Sequence, residues 1–471
     1  MTVLKYWIFA FAGMTGLWDV ENVRGTAEMA FEPVLLKNRK KDRILDIDEY
    51  REIGGYEALC SALSDSNPAD IMDLLVRADL LGRGGAAFPM GKKLSTIPAD
   101  GGFPRYVVCN GDEMEPGTFK DRVLIHAAPH QLIEGILLAA YAARAETAVL
   151  FLRPEYENAA RIMEREIALA RKAGFAGQNI CDSDFNCEIV VHRSGGRYIC
   201  GEGTAILNAI EGKRPNPKRP PPYPTVQGLW GKPTEVQNVE TLCCVPHAVR
   251  NGAEWFRSLS LTEEDSGTKV FSVSGRVNQP GCFELPMGTT LSEIIENHAG
   301  GMRDGAAFKA CLPGGASTHF MPASMYHTPM DYSTLGKAGY RLGTGAIMVF
   351  DENTCLVRAT VNLTRFFVRE SCGWCTPCRE GLPHILDLLE RIENGQGEAE
   401  DVEIVRQMCA HMPYAYCAFA PGAAAPVESL LEVFADEVNA HIEKGGCPFD
   451  GEIAKCPNLS STTMKSRSPT A

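Results

Sequence analysis

Short apolar runs of strand type alternate with longer stretches of helical spacing through the first half of the chain. The strand-type runs are Tyr106-Val107-Val108-Cys109, Ala148-Val149-Leu150-Phe151-Leu152 and Glu188-Ile189-Val190-Val191-His192. Residues 48–80 are largely helical, with an apolar rhythm through Ile71, Leu74, Leu75 and Leu80, and residues 130–143 and 155–173 continue the helical pattern. Strands alternating with helices of this length predict a parallel α/β sheet. Residues 215–233 are too rich in proline for a helix or a central strand. They form a linker or, given their interleaved aromatic and basic residues, a binding loop.

The pattern changes at Val270. Val270-Phe271-Ser272-Val273-Ser274-Gly275 and Gly281-Cys282-Phe283-Glu284-Leu285 predict a hairpin, followed by a short helix near residues 291–298 and a strand at Ala346-Ile347-Met348-Val349-Phe350. This is a small α+β unit. Helical spacing then runs over 361–370, 379–394, 401–411 and 426–443, which predicts a C-terminal bundle. The tail after Cys447 is rich in Ser, Thr and Lys and is expected to be disordered.

At 471 residues the chain is long enough for two to four domains. Its net charge of -13 excludes a nucleic-acid binder, since no basic face is available for phosphates. No stretch reaches the roughly 18–20 apolar residues of a membrane span. Trp7-Ile8-Phe9-Ala10-Phe11-Ala12 behind Lys5 has the look of a signal peptide. Secretion conflicts with the cysteine chemistry below, so the expectation is translation from Met29 and an extension over residues 1–28. Seventeen cysteines, an odd number in a long chain, point to a reducing compartment with a few thiolates used as metal ligands. Cys109 and Cys200 lie in apolar runs, where a thiol behaves as a small hydrophobe.

The strongest chemical signal is Cys372-Gly-Trp-Cys375-Thr-Pro-Cys378. Three thiolates at this spacing on a tight loop can bind three irons of a cubane. A bacterial ferredoxin would continue with a nearby Cys-Pro; Leu382 stands there instead, so the fourth ligand is remote. Cys409, Cys417, Cys447 and Cys456 are candidates. Cys417 is chosen because Ala418-Phe419-Ala420-Pro421-Gly422 leads from it into a helix, whose first N–H groups favour an anionic cluster. A structural zinc favours paired ligands, and a redox dithiol does not need the third cysteine.

Gly82-Arg-Gly84-Gly85-Ala-Ala-Phe88-Pro-Met-Gly91-Lys92-Lys93 allows close backbone approach to a ligand and offers a lysine to phosphate. Asn110-Gly-Asp112-Glu113-Met-Glu115-Pro116 follows a predicted strand, where open α/β sheets bind ligands. Carboxylates there suit ribityl or ribose hydroxyls, or simply a solvated loop. Gly195-Gly196-Arg197-Tyr198-Ile199-Cys200-Gly201-Glu202-Gly203-Thr204 repeats the order of strand, glycine turn, acid and helix. Asn238-Val-Glu240-Thr241 opens a further helix with capping-type residues. Each motif alone is ambiguous; all of them upstream of a cluster are not.

With these motifs, at residues 82–93, 109–122, 196–212, 230–242, 370–381 and 417–422, the chain resembles the NADH-binding flavoprotein of respiratory complex I, the F subunit family of NADH-quinone oxidoreductase. The resemblance spans about residues 45–445. It implies an N-terminal extension over 1–45, a Rossmann-like FMN domain over 46–265, a ubiquitin-like (SLBB-type) domain over 266–355, a helical [4Fe–4S] domain over 356–446 and a tail over 447–471. It also implies FMN contacts at Gly82, Gly84, Lys93, Asn110, Asp112, Tyr198, Gly201, Glu202, Asn238 and Thr241. Phe88, Glu115 and Tyr223 would line the NADH pocket, and Cys372, Cys375, Cys378 and Cys417 would hold the cluster. The implied reaction is hydride transfer from NADH to FMN, then single-electron transfer to the cluster and on to a small [2Fe–2S] subunit and a larger iron–sulfur subunit. The complex would hold the chain peripherally at the cytoplasmic face of the inner membrane. Rival readings are the diaphorase subunit of a hydrogenase or formate dehydrogenase, and an iron–sulfur relay subunit without flavin.

The chain departs from the family pattern in places. Gly203 replaces the second acid of Cys-Gly-Glu-Glu-Thr, which would relax selection against the 2′-phosphate of NADPH. Pro220 replaces a lysine, with Arg219 one residue earlier. Gln237 replaces an asparagine, and Tyr223 a phenylalanine.

Overall fold

The computed structural model describes residues 31–40 and 42–449. The expectations for residues 1–28, Met29, Cys456 and the end of the tail lie outside them. Strands β1 (Tyr106–Gly111), β2 (Thr147–Leu152), β3 (Glu188–Arg193) and β4 (Thr234–Asn238) form one parallel sheet in the order β3-β2-β1-β4. Alternate side chains enter opposite cores, as the period of two requires. Val107, Cys109, Ala148, Leu150 and Leu152 join the large core, whereas Val108, Val149 and Phe151 join a smaller one with Ile206, Leu207 and Leu229. Both faces are covered, which is why these strands read as continuous apolar runs. β4 was not legible that way. Its alternate residues Glu235 and Gln237 are buried and bonded to each other at 2.5 Å.

The helix Pro129–Ala143 is buried at every residue except Tyr141, and each fully buried Leu or Ile contributes about 1.5–3 kcal/mol. It crosses the helix Val239–Asn251 so closely that a Cβ on Gly135 would lie 2.0 Å from the Leu242 carbonyl oxygen. Its Glu134 accepts from Tyr50 Oη at 2.5 Å and from the N–H groups of Tyr56 and Leu59 at 3.0 and 3.1 Å. One buried carboxylate thus caps the helix Glu57–Asp65, which has no side-chain cap of its own. The predicted helical stretch 48–80 is three helices, Ile47–Glu52, Glu57–Asp65 and Pro68–Arg77. Cys60 and Cys181 are joined by a disulfide, so this pair departs from the expectation of reduced thiols.

Strands β5 (Thr268–Gly275), β6 (Gly281–Pro286), β7 (Phe308–Leu312), β8 (Met321–Pro322) and β9 (Ala346–Asp351) form a mixed sheet in the order β6-β5-β9-β7-β8. The hairpin and the closing strand match expectation. β7 and β8 are too short, and too close to glycine and proline, to stand out in the sequence. The C-terminal helices are Leu356–Glu370, Leu382–Glu393, Ala399–His411, Phe419–Val433 and Ala435–Lys444. The first begins at Leu356 rather than 361. The expected 426–443 helix is two helices, because Pro426 lies within one of them and the chain breaks at Phe434. Among the described residues no single helix is long and apolar enough to cross a membrane.

Candidate functional site

β1 lies between β2 and β4, so its carboxyl end is the switch point at which an open α/β sheet binds ligands. Four distant segments meet there. Asn110 pairs in register with Asn238. A Cβ on Gly84 would lie 3.0 Å from Asn238 Cβ. The Arg83 N–H donates to Thr241 Oγ1 at 2.8 Å. Asn110 Nδ2 donates to the Gly201 carbonyl at 2.9 Å, and a Cβ on Gly201 would meet the Asp112 carbonyl oxygen at 3.4 Å. Gly82 closes its loop by donating to the Phe88 carbonyl at 3.1 Å.

Behind this edge sits a buried charge cluster. Asn238 accepts from Lys120 Nζ at 3.0 Å and donates to Asp121 at 2.7 Å. Glu240 pairs with Lys120 at 2.9 Å and with Lys269 at 2.6 Å. Burial disfavours the Glu240 charge, yet the two lysines hold its carboxyl below the usual range. The cluster fixes the start of the helix Val239–Asn251, whose Asn238 cap accepts from the Glu240 N–H.

The acidic residues of these loops divide by use. Glu113 accepts from the N–H groups of Asp121 and Arg122 at 2.8 and 3.1 Å and so caps the helix Lys120–Ala127. Glu202 accepts from the N–H groups of Thr204 and Ala205 and caps the helix Ala205–Ile210. Glu115 accepts from Tyr198 Oη and, at 2.7 Å, from the Ser317 N–H of the second sheet's region. Asp112 alone has both carboxylate oxygens buried and without a hydrogen-bond partner. Burial pushes its carboxyl up to about 7. Arg83, fully buried, donates from one nitrogen to the Ser266 carbonyl, while its Nε and Nη1 have no partner. Buried polar groups are normally paired. Orphaned donors and acceptors beside a glycine-lined backbone therefore fit a polar, phosphorylated ligand such as FMN. Lys93 is directed at β4, donating to the Val236 carbonyl and lying 3.9 Å from Glu235. Phe88 and Tyr223 stand 48% and 61% exposed, free to stack on a ligand ring.

A seam joins this edge to the cysteine loop. The Tyr198 ring meets Phe366, Phe367 and Phe419 edge-on at 5.4, 5.9 and 5.5 Å. Its N–H donates to Glu370 at 3.2 Å, and Arg214 donates to the Cys372 carbonyl at 3.1 Å. Cys378 lies within electrostatic reach of Cys372, Cys375 and Cys417. Burial pushes the Cys378 thiol up to about 12 and that of Cys417 to about 11, the Phe419 N–H pulling the latter back. A buried set of four thiols fits a metal centre that takes them as thiolates. The other candidates go elsewhere. Cys409 faces Glu428 and Glu432, and Cys447 packs with Cys355.

Comparison with known proteins decides what this arrangement is. Residues 75–247 match the Nuo51 FMN-binding domain, 270–320 the SLBB domain, and 358–441 the NADH-ubiquinone oxidoreductase-F iron-sulfur binding region. The chain is 46% identical to the F subunit of NADH-quinone oxidoreductase of Salmonella typhimurium and to that of Escherichia coli K12. Each match covers 90% of this chain and 96% of the relative. The chain belongs to the family of NADH-quinone oxidoreductase F subunits. A second-copy relative in Rhizobium meliloti, the F 2 subunit, is 46% identical over 89% of this chain and all of the relative. Among solved structures, a chain of an NAD+-reducing [NiFe]-hydrogenase aligns with a TM-score of 0.73 at 34% identity. That match covers 82% of this chain, which spans 65% of the hydrogenase chain.

In this member of the family, Arg83 and the Lys120–Asp121–Glu240 group were not singled out by sequence pattern. Arg83 had a signal, as the one charged residue between Gly82 and Gly84. Lys120 and Glu240 had none, since only the fold brings residues this far apart together.

Proposed function

We propose that this chain is the electron-input subunit of an NADH-quinone oxidoreductase. It oxidises NADH at an FMN on the carboxyl edge of the parallel sheet and delivers electrons to a [4Fe–4S] cluster on Cys372, Cys375, Cys378 and Cys417. FMN, when bound, supplies the acceptance of a hydride and the release of electrons one at a time. The chain's own residues do the rest. Gly82, Gly84 and Gly201 let backbone approach the ligand, and Asn110, Asp112, Asn238 and Thr241 offer it polar partners. Phe88 and Tyr223 provide rings for the nucleotide, with Glu115, Lys93 and Glu202 as polar neighbours. Tyr198 holds the wall between the two cofactor sites. Residues 46–265, 266–355 and 356–446 are the three working domains.

The observation that carries this reading is the seam. Tyr198 touches Glu115 on one side and the aromatic wall of the cluster helices on the other. One side chain spanning both regions suits a short electron path. The outlet would be a small [2Fe–2S] subunit and a larger iron–sulfur subunit, which would hold the chain at the cytoplasmic face of the inner membrane. The hydrogenase likeness supports a second reading, the same half-reaction with another outlet, but the higher identity to the quinone-reducing relatives favours the first.

The test is anaerobic addition of NADH to the purified protein loaded with FMN and iron. Bleaching of the flavin band followed by a reduced-cluster spin signal is expected. A bound flavin that NADH leaves oxidised would overturn the reading, and a protein that binds no flavin would favour the relay reading.

A further inference from the structure

We propose that Cys355, Glu393, His441 and Cys447 form a second metal site in the helical domain, one that takes a zinc ion and is separate from the iron–sulfur cluster. The sulfurs, a carboxylate oxygen and a ring nitrogen of these four residues all lie within 4.8 Å of one another. Cys355 Sγ lies 3.3 Å from His441 Nε2 and 3.6 Å from Glu393 Oε2, which is itself 3.3 Å from the same ring nitrogen. Cys355, His441 and Cys447 are buried, and the Glu393 side chain is 10% exposed.

The surrounding contacts suit a cation. His441 Nδ1 lies 2.7 Å from the Glu437 carbonyl, a pure acceptor, so the proton sits on Nδ1. That leaves the Nε2 lone pair aimed at the sulfur and the carboxylate, which is the outer hydrogen bond typical of a metal-bound imidazole. Lone pairs facing one another across 3.3 Å repel unless a cation stands between them. The Arg358 N–H reaches Cys355 Sγ at 3.2 Å at the start of the helix Leu356–Glu370, a setting that favours thiolate. Arg358 Nε pairs with Glu393 Oε1 at 2.5 Å. Two thiolates and one carboxylate around a divalent ion leave one negative charge, which this guanidinium offsets.

The backbone is shaped to close the site. Gly445 and Gly446, at φ 66° and 148°, turn the chain so that Cys447 comes back toward His441, and the Gly446 N–H donates to the His441 carbonyl at 3.0 Å. A Cβ on Gly395 would lie 2.1 Å from the Gly445 carbonyl oxygen, so the turn after Glu393 presses on this one. Two sulfurs, one imidazole and one carboxylate in tetrahedral number favour zinc over magnesium or calcium. The ion would tie three helices together at the end of Leu356–Glu370 opposite Cys372, about 22 Å away at 1.5 Å per residue. Zinc has no redox chemistry, so the site is a staple and not an electron carrier. The site stands independently of the flavin reading.

The test is metal analysis of the full chain, purified anaerobically with its cofactors, for zinc and iron together. One zinc per chain is expected in addition to the cluster's iron. Cys447→Ser and His441→Gln should lose the zinc and keep the iron–sulfur absorption. Cys417→Ser should do the reverse. Replacing zinc by Co2+ should give a thiolate-to-cobalt charge-transfer band that Cys447→Ser abolishes, a readout that needs no activity. Wild-type protein that holds its iron but neither retains zinc nor takes up added Zn2+ or Co2+ overturns the proposal, and the four residues are then a protonated His441–Glu393 ion pair beside two thiols. Loss of zinc and iron together in both Cys447→Ser and His441→Gln, from protein that keeps its fold by circular dichroism, would equally overturn the claim of a separate site.

Discussion

The carboxyl edge of the parallel sheet and the cysteine loop of the bundle both gather polar residues for a cofactor, but they do it differently. Three of the four cluster cysteines lie within seven consecutive residues, and a single further helix start brings Cys417 to them. The sheet edge draws on segments around residues 82–84, 110–112, 198–204 and 238–241, which meet only because β1 and β4 are neighbours. A thiolate set therefore announces itself by spacing, whereas a flavin edge announces itself by what is left unpaired once the fold's own needs are met. Glu113 and Glu202 are taken up in capping helices; Asp112 is left over.

The sharpest break between the two regions is Cys417→Ala. It should abolish the iron–sulfur absorption and spin signal completely while leaving FMN bound and bleachable by NADH. Retention of a normal cluster in this variant would remove Cys417 from the ligand set.

Asp112→Asn comes next. If the ligand's hydroxyl groups donate to this carboxylate, the substitution should weaken FMN binding by roughly 10- to 100-fold, the range of about 1.5–3 kcal/mol for a hydrogen bond to a buried charge. The same residue sets a pH dependence. Without ligand the Asp112 carboxyl titrates near 7, so below that pH it is protonated and must lose its proton to accept from a hydroxyl. FMN affinity of the apoprotein should rise as pH increases from 6 to 8, by up to about tenfold per unit below the midpoint, and Asp112→Asn should flatten that slope. The sign for stability is opposite. The folded apoprotein holds a proton that the unfolded chain has released above about pH 4, so this group lowers apoprotein stability as pH rises from about 4 to 7. Fluorescence titration of FMN and urea melts of the apoprotein measure the two slopes.

Glu202→Ala tests the capping side of the comparison. Removing an acceptor from the N-terminus of the helix Ala205–Ile210 should cost about 0.5–2 kcal/mol of stability, read from denaturant melts. A loss of flavin affinity far larger than the loss of stability would mean that Glu202 serves the ligand directly.

How much of this was legible follows from the same contrast. The runs at 106–109, 148–152 and 188–192 gave three of four parallel strands because apolar residues filled both faces. β4 hid behind Thr234, Glu235 and Gln237, polar residues buried by pairing rather than by hydrophobicity. The bundle was visible in its spacing, but its last two helices merged, since Pro426 suggests an end where the chain in fact continues. At the cluster, spacing and a helix start singled out four cysteines. At the sheet edge the motifs marked the loops but could not say which acid is spent on a helix end. Cys355 and Cys447 are far apart in the chain, and their meeting needs the bundle itself.

The smallest expected effect concerns Gly203, where the family pattern has an acid. A Cβ built there meets nothing within 4 Å, so Gly203→Glu should fold without strain and place its carboxylate in open, half-exposed space beside Glu202. If this loop faces the adenosine ribose, the new charge repels a 2′-phosphate and accepts from a 2′-hydroxyl. Water screens an exposed pair, which limits the interaction to about 1 kcal/mol, or roughly fivefold. The variant should therefore favour NADH over NADPH about fivefold more than the wild type in flavin bleaching, with the NADH rate itself nearly unchanged. The change should shrink as salt rises from low to physiological strength, because screening acts on the repulsion. Equal discrimination by the two proteins at low salt would mean that this loop does not face the adenosine ribose, and that the acid's absence has no bearing on nucleotide choice.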